Sequence, residues 1–258
     1  MITLIYILIF ILGLVVGSFL NVVICRLKTG EAIFKSRSHC VFCKEKLKWY
    51  ELIPLASFVM QTGKCRSCKK KISWQYPLVE FFTGLIFVLI FNEFSSYQFI
   101  YTCFLYLVSC FLIVIFVYDL KYYLVADKII YPAIILSLIF NIYLWILNND
   151  FQIFFWSIIT ALASGGFFLV LFLLSKGKWM GAGDVLIGVL IGLILGAYQT
   201  IVALFLAFLI GAVVAIILLI LKKKKMKSEI PFGPFLVIGT MISIFWGNIL
   251  INWYLKLL

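Results

Sequence analysis

Charge is what this chain of 258 residues has least of. Asp, Glu, Lys and Arg make up 12% of it, against 65% hydrophobic residues, whereas a soluble domain carries about 25% charged residues. The shortage excludes a water-soluble fold and points to helices dissolved in lipid. Acids are scarcer still, ten against 22 bases, so each acid near an apolar run stands out. No basic residue precedes the first apolar run, Ile2 to Cys25, and no small-residue cleavage site follows it; the run exceeds the roughly 7–15 residues of a signal-peptide core, so it reads as a retained span. There is also no internal repeat, no low-complexity tract and no Gly-x-Gly-x-x-Gly nucleotide fingerprint.

What is present is a series of apolar runs. Eight spans are expected, at 2–25, 77–92, 98–118, 129–147, 151–174, 184–198, 200–221 and 234–255. The sixth and seventh are separated at Ala197-Tyr198-Gln199. The fold class is an all-α polytopic membrane protein. Its regions are a first span (1–27), a loop containing four cysteines (28–76) and a seven-span bundle (77–258).

The net charge of +12 could suggest nucleic acid as a partner, but the bases lie in short connectors, where they act as topology signals. Of 22 Lys and Arg, 21 fall in four alternate connectors, and only Lys256 lies on the other side. The positive-inside rule puts those connectors in the cytoplasm and both termini outside. The run Lys222–Lys225 reads as an inner-leaflet anchor.

Loop 28–76 holds Cys40-x-x-Cys43 and Cys65-x-x-Cys68, with 21 residues between the pairs. Two such hooks present four thiolates to zinc, in a closed site that folds the loop and does no chemistry. A reducing cytoplasm argues against disulfides. His39 adjoins Cys40 but falls outside the spacing and reads as a surface residue.

Trp179-Met180-Gly181-Ala182-Gly183-Asp184 places a carboxylate at the mouth of a span, a costly position that marks a candidate site. Asp119, in Val117-Tyr118-Asp119-Leu120-Lys121, ends the third span. Two complete spans separate the two acids, so both return to the same membrane face. If they converge, the carboxylates share a proton: one acts as general base on a water, the other as acid to a carbonyl. Gly181 and Gly183 would let backbone approach a substrate strand. Asp127 reads as the N-cap of the fourth span. Glu80, near the start of the second span, is a costlier placement that suits substrate positioning or an interfacial carboxylate.

Several stretches together resemble the type IV prepilin peptidases. They are Gly17-Ser18-Phe19-Leu20-Asn21-Val22-Val23-Ile24-Cys25-Arg26, the two Cys-x-x-Cys hooks, Trp49-Tyr50-Glu51-Leu52-Ile53-Pro54-Leu55, Gln75-Tyr76-Pro77-Leu78-Val79-Glu80, Gly181-Ala182-Gly183-Asp184 and Pro231-Phe232-Gly233-Pro234. They run in matching order along nearly the whole chain. The resemblance implies an intramembrane aspartic protease of the bacterial inner membrane, with Asp119 and Asp184 as its catalytic pair. It implies prepilins or pseudopilins as partners, cut after a basic leader at the cytoplasmic face. The cysteine loop and the Asn21 region accompany members that also methylate the new N-terminus with S-adenosylmethionine; Asn21, Arg26 and Glu51 are the candidates by resemblance. Asp127 and Glu80 match acids of the family pattern. Two departures stand out: Val185-Leu186-Ile187 lacks a basic residue common after the second aspartate, and Val125-Ala126 replaces an Ile-Pro pair. The alternatives are a peptidase without methylation, a transporter with an acidic relay, and a non-catalytic scaffold. A relay needs polar groups at depth, and the spans hold few.

Overall fold

The computed structural model describes residues 2–32, 38–94, 99–221 and 230–256. The lysine run 222–225 lies outside them. Among the described residues the chain is helical, with no strand beyond two isolated bridges, and seven helices are long and apolar enough to cross a membrane. It is a multi-pass membrane protein whose packing divides into two units, Met1–Val114 and Ile115–Leu258.

In the first unit, α1 (Ile2–Thr29) and α3 (Gln75–Phe94) pair antiparallel. Their register is written in small residues: Gly13 lies on Gly84, and Gly17 on Glu80, so closely that a Cβ at either position would strike backbone. Lipid offers no hydrophobic drive for helices to associate, so such close approach is what holds them. Tyr6 donates to Asn92 Oδ1 at 2.9 Å at the far end of the pair. Between the two helices lie a 3-10 turn (Trp49–Leu52), the short α2 (Ala56–Met60) and the cysteine loop. Helix α4 (Phe99–Tyr122) runs from this unit into the second.

The second unit contains the end of α4, α5 (Asp127–Asn148), α6 (Phe151–Ser175), α7 (Ala182–Ile220) and α8 (Gly233–Leu255). Helix α7 has 39 residues, about 58 Å of rise against a hydrocarbon core of about 30 Å. It does not run straight. Gly196 has φ 69 and ψ −178, a backbone region essentially reserved for glycine. The direction of the break follows from one ring. Phe168 lies over Gly188 and also stacks on Phe208 at 6.4 Å. In a straight helix those two partners would stand about 30 Å apart. The chain therefore doubles back at Gly196, and the expected sixth and seventh spans exist, joined by a one-residue hinge. The break comes before Ala197-Tyr198-Gln199 because only the glycine can take that conformation.

The first half of α7 packs along α6. Gly192 abuts the Ala161 backbone, and Ser164 donates to Gly188 O at 2.7 Å. From α5, Asn141 donates to Leu193 O at 2.9 Å. The second half packs along α8, where Gly239 abuts Ala203 and Ser243 donates to Gln199 O.

Candidate active site

Asp119 lies inside the last turn of α4, three residues before its end, and Asp184 in the first turn of α7. Both are buried, at 5% and 6% exposure. Each is held by the backbone N–H of a glycine. Gly181 donates to Asp184 Oδ2 at 3.1 Å, closing the first turn of α7. Gly233 donates to the Asp119 carboxylate. These amides belong to chain entering α7 and α8, where helix geometry leaves N–H groups without internal partners. A buried carboxylate requires such donors.

The two carboxylates are near enough that the charge of Asp119 acts on Asp184. They are joined through a third element. Gly233 sits against both Asp119 and Ile187, one turn along from Asp184, and a Cβ on it would fall on the Asp119 oxygen. The expected meeting of the third and sixth spans is thus a junction of three helix ends: α4, α7 and α8. Gly233 was missed as a site residue by sequence reasoning. The available signal was Phe232-Gly233-Pro234 opening a span on the same face as the two acids. Phe232 packs against Phe208 and Phe168 behind it.

The other acidic-site expectations divide. Gly183 is required by its own fold: the space a Cβ would need is filled by Val125, so it is not open for a substrate strand. At Gly181 nothing lies closer than 3.9 Å to a Cβ. Asp127 is not an N-cap. Ala126 takes that position, and Asp127 is the first helical residue, with its side chain exposed. Glu80 is buried and accepts from the Leu55 N–H at 2.8 Å. Leu55 has φ 57 and ψ −50, and the next N–H, of Ala56, bonds to Pro54 O at 2.6 Å. This is a strained γ-turn, costing about 1–3 kcal/mol, clamped by a carboxylate.

The four-cysteine loop closes as its spacing requires. The Sγ atoms of Cys40, Cys43, Cys65 and Cys68 all lie within 4.8 Å of one another. Cys40–Cys68 and Cys43–Cys65 stand at 3.9 and 4.0 Å; tetrahedral zinc with bonds of about 2.3 Å places sulfurs about 3.8 Å apart. Each hook is the same knuckle. The N–H of Lys44 bonds to Cys40 O and that of Cys40 to Glu45 O; Lys69 and Cys65 repeat this with Cys65 O and Lys70 O. Lys44 and Lys69 both turn left-handed, at φ 59 and 60. Hydrogen bonds from the Cys68 backbone draw the Cys65 thiol down to about 7, with Ser67 helping against burial. Cys43 stands at about 11: a backbone hydrogen bond at Glu45 pulls it down, but burial and the other three sulfurs raise it. The donor set fits a soft tetrahedral cation. His39 is not in the cluster and sits 4.0 Å from Glu31.

Of the methyltransferase candidates, Asn21 is 1% exposed. Its Nδ2 donates to Gly17 O and Tyr76 O, and its Oδ1 accepts from Gln75. Arg26 is buried and donates to Ala32 O. Glu51 is half-buried at the loop surface, accepting from the Lys48 N–H at 2.8 Å. Asn21 and Arg26 are buried, and Glu51 has the more accessible group.

Comparison with known proteins gives the family. Residues 11–94 match the Bacterial Peptidase A24 N-terminal domain and residues 105–216 the Type IV leader peptidase family. The chain is 33% identical to a prepilin leader peptidase/N-methyltransferase of Xanthomonas campestris pv. campestris, over 95% of this chain and 92% of that one. It is 31% identical to one from Aeromonas hydrophila, over 96% and 93%. A third, from Bacillus subtilis, is 28% identical over 96% and 97%. No solved structure matches the chain.

Proposed function

The chain belongs to the Type IV leader peptidase family, and from that membership we propose that it cuts the leader from prepilins or pseudopilins and methylates the N-terminus so exposed. The observation that supports the peptidase reading most directly is the convergence of buried Asp119 and Asp184 at one three-helix junction. One carboxylate takes a proton from water as it attacks the scissile carbonyl; the other, protonated, donates to the carbonyl oxygen. Collapse of the tetrahedral intermediate then returns a proton to the leaving amine. The pair acts as a unit, and neither role belongs to one residue. The Gly181 and Gly233 amides hold the two carboxylates in place through the cycle.

In the methylation half, S-adenosylmethionine supplies an electrophilic methyl group to the free amine. The loop surface around Glu51 is the proposed contact, with Asn21 and Arg26 holding the loop base. Zinc on Cys40, Cys43, Cys65 and Cys68 is proposed as structural. The basic connectors support a cytoplasmic site and external termini in a bacterial inner membrane.

The test is Asp119→Asn and Asp184→Asn, each in membranes with a prepilin substrate. Each change is expected to lower cleavage by about 10²–10⁴-fold while the protein inserts normally. Persistent cleavage in either variant removes that residue from the mechanism. Mass spectrometry of the mature N-terminus reads methylation separately.

A further inference from the structure

The first unit has an apolar strip that the peptidase and metal readings leave unused. Along Trp49–Met60, outside the spans, five large apolar side chains are exposed: Trp49, Leu52, Ile53, Val59 and Met60, the first and last at 78%. Exposed apolar side chains at this density on a segment in water would be an association hazard.

Its depth follows from Glu80. Helix α3 has 20 residues, about 30 Å, which matches the hydrocarbon thickness, so its first residue stands at the border of the headgroup layer. Glu80 is the sixth residue of that helix, about 7.5 Å inward. Its carboxylate holds the Leu55 N–H at 2.8 Å. The middle of the strip is therefore pinned just inside that border, within the depth of about 5–10 Å to which an interfacial segment buries its apolar face. Phe58 packs on Trp74, the residue before α3, at 5.0 Å between ring centroids, which ties α2 to the same level.

The charges around the strip complement an anionic surface. Between Cys40 and Ser73 there are eight Lys and Arg against Glu45 and Glu51. Arg66 donates to the Tyr50 hydroxyl at 2.6 Å and Lys48 stands over the same ring, within the strip itself. Aromatic rings flanked by Lys and Arg are the composition of an interfacial anchor.

We propose that Trp49–Met60 inserts its apolar face into the headgroup–acyl boundary of an anionic phospholipid bilayer, holding the four-cysteine loop against the membrane. The γ-turn at Leu55, clamped by Glu80, sets the angle at which the 3-10 turn and α2 lie on the surface. The inference uses the membrane character of the chain and is independent of the peptidase reading.

The experiment places the photocrosslinker p-benzoylphenylalanine at Trp49 or Met60 in the full-length chain, reconstituted in nanodiscs of phosphatidylethanolamine and phosphatidylglycerol. Both positions are exposed, so folding is not at risk. Mass spectrometry is expected to find phospholipid adducts at each position, and replacing phosphatidylglycerol by phosphatidylcholine is expected to lower their yield several-fold. Adducts confined to another part of this chain, to a second copy or to a prepilin overturn the proposal, as does a yield unaffected by lipid charge. Cleavage by the same preparations is followed in parallel, so loss of enzyme activity is distinguishable from loss of lipid contact.

Discussion

Gly233→Ala separates the geometry of this site from its sequence motif. Gly233 is the first residue of α8, where alanine is intrinsically the better helix former by about 1 kcal/mol. Propensity alone therefore predicts a neutral or stabilising change. The structure predicts the opposite for activity, because the new Cβ falls on the Asp119 carboxylate and presses on Ile187. The carboxylate must move, and the hydrogen bond from the Gly233 N–H goes with it. A hydrogen bond to a charged group contributes about 1.5–3 kcal/mol, which at about 1.4 kcal/mol per decade is a rate loss of roughly 10- to 150-fold. The control is Gly181→Ala. That glycine belongs to the motif preceding Asp184, yet has φ −82 and no atom within 3.9 Å of a Cβ. It is expected to keep cleavage within about threefold, a cost of under about 1 kcal/mol. The assay is cleavage of a prepilin in detergent or nanodiscs, with thermal unfolding measured beside it. Gly233→Ala at near-wild-type rate, or Gly181→Ala as damaging as Gly233→Ala, would refute the three-helix assignment.

Four other outcomes are expected. Cys40→Ser with Cys65→Ser should abolish stoichiometric zinc in the purified protein, read by elemental analysis; wild-type protein without metal would remove the zinc proposal. Zinc should also leave as pH falls, since protons compete for the thiolates, and Cys65 is drawn down to about 7 by the Cys68 backbone. Asn21→Leu removes three side-chain hydrogen bonds at the α1–α3 contact, each worth about 0.5–1.5 kcal/mol, seen as a lower melting temperature; an unchanged value would leave Asn21 free for another role. Glu80→Gln retains a carbonyl oxygen for the Leu55 amide and should preserve loop protection in hydrogen exchange, whereas Glu80→Leu should lose it; equal protection in both would show that the clamp does not hold the turn.

The fold was largely legible because lipid leaves so few options. Runs of apolar residues longer than a bilayer crossing can only be helices, and the eight expected runs correspond to the observed segments. What the pattern misplaced was the hinge at Gly196. Polar Tyr198 and Gln199 looked like the break, but they remain helical, with Gln199 bonded to Asn248 and Ser243. A turn between two spans needs one residue in a special conformation, and a composition window cannot see a single torsion. The N-cap assignment of Asp127 failed similarly, by one residue, because residue type does not fix where helical torsions begin.

The candidate site was legible in its two acids and illegible in the groups that hold them. Counting crossings placed Asp119 and Asp184 on one face, since parity depends only on the number of spans. It could not reveal how a buried carboxylate is held, because the partners are backbone amides, and every residue has one. Gly181 and Gly233 matter for where their N–H groups point and, at Gly233, for the absence of a side chain. The first half of α7 sharpens the point. From Ala182 to the hinge it rises only about 21 Å, short of the hydrocarbon thickness. Asp184 at its start is buried, at 6% exposure, so water cannot supply donors freely. Two glycine amides at the mouths of α7 and α8 take over that role, which makes the positions of those helix ends part of the proposed chemistry.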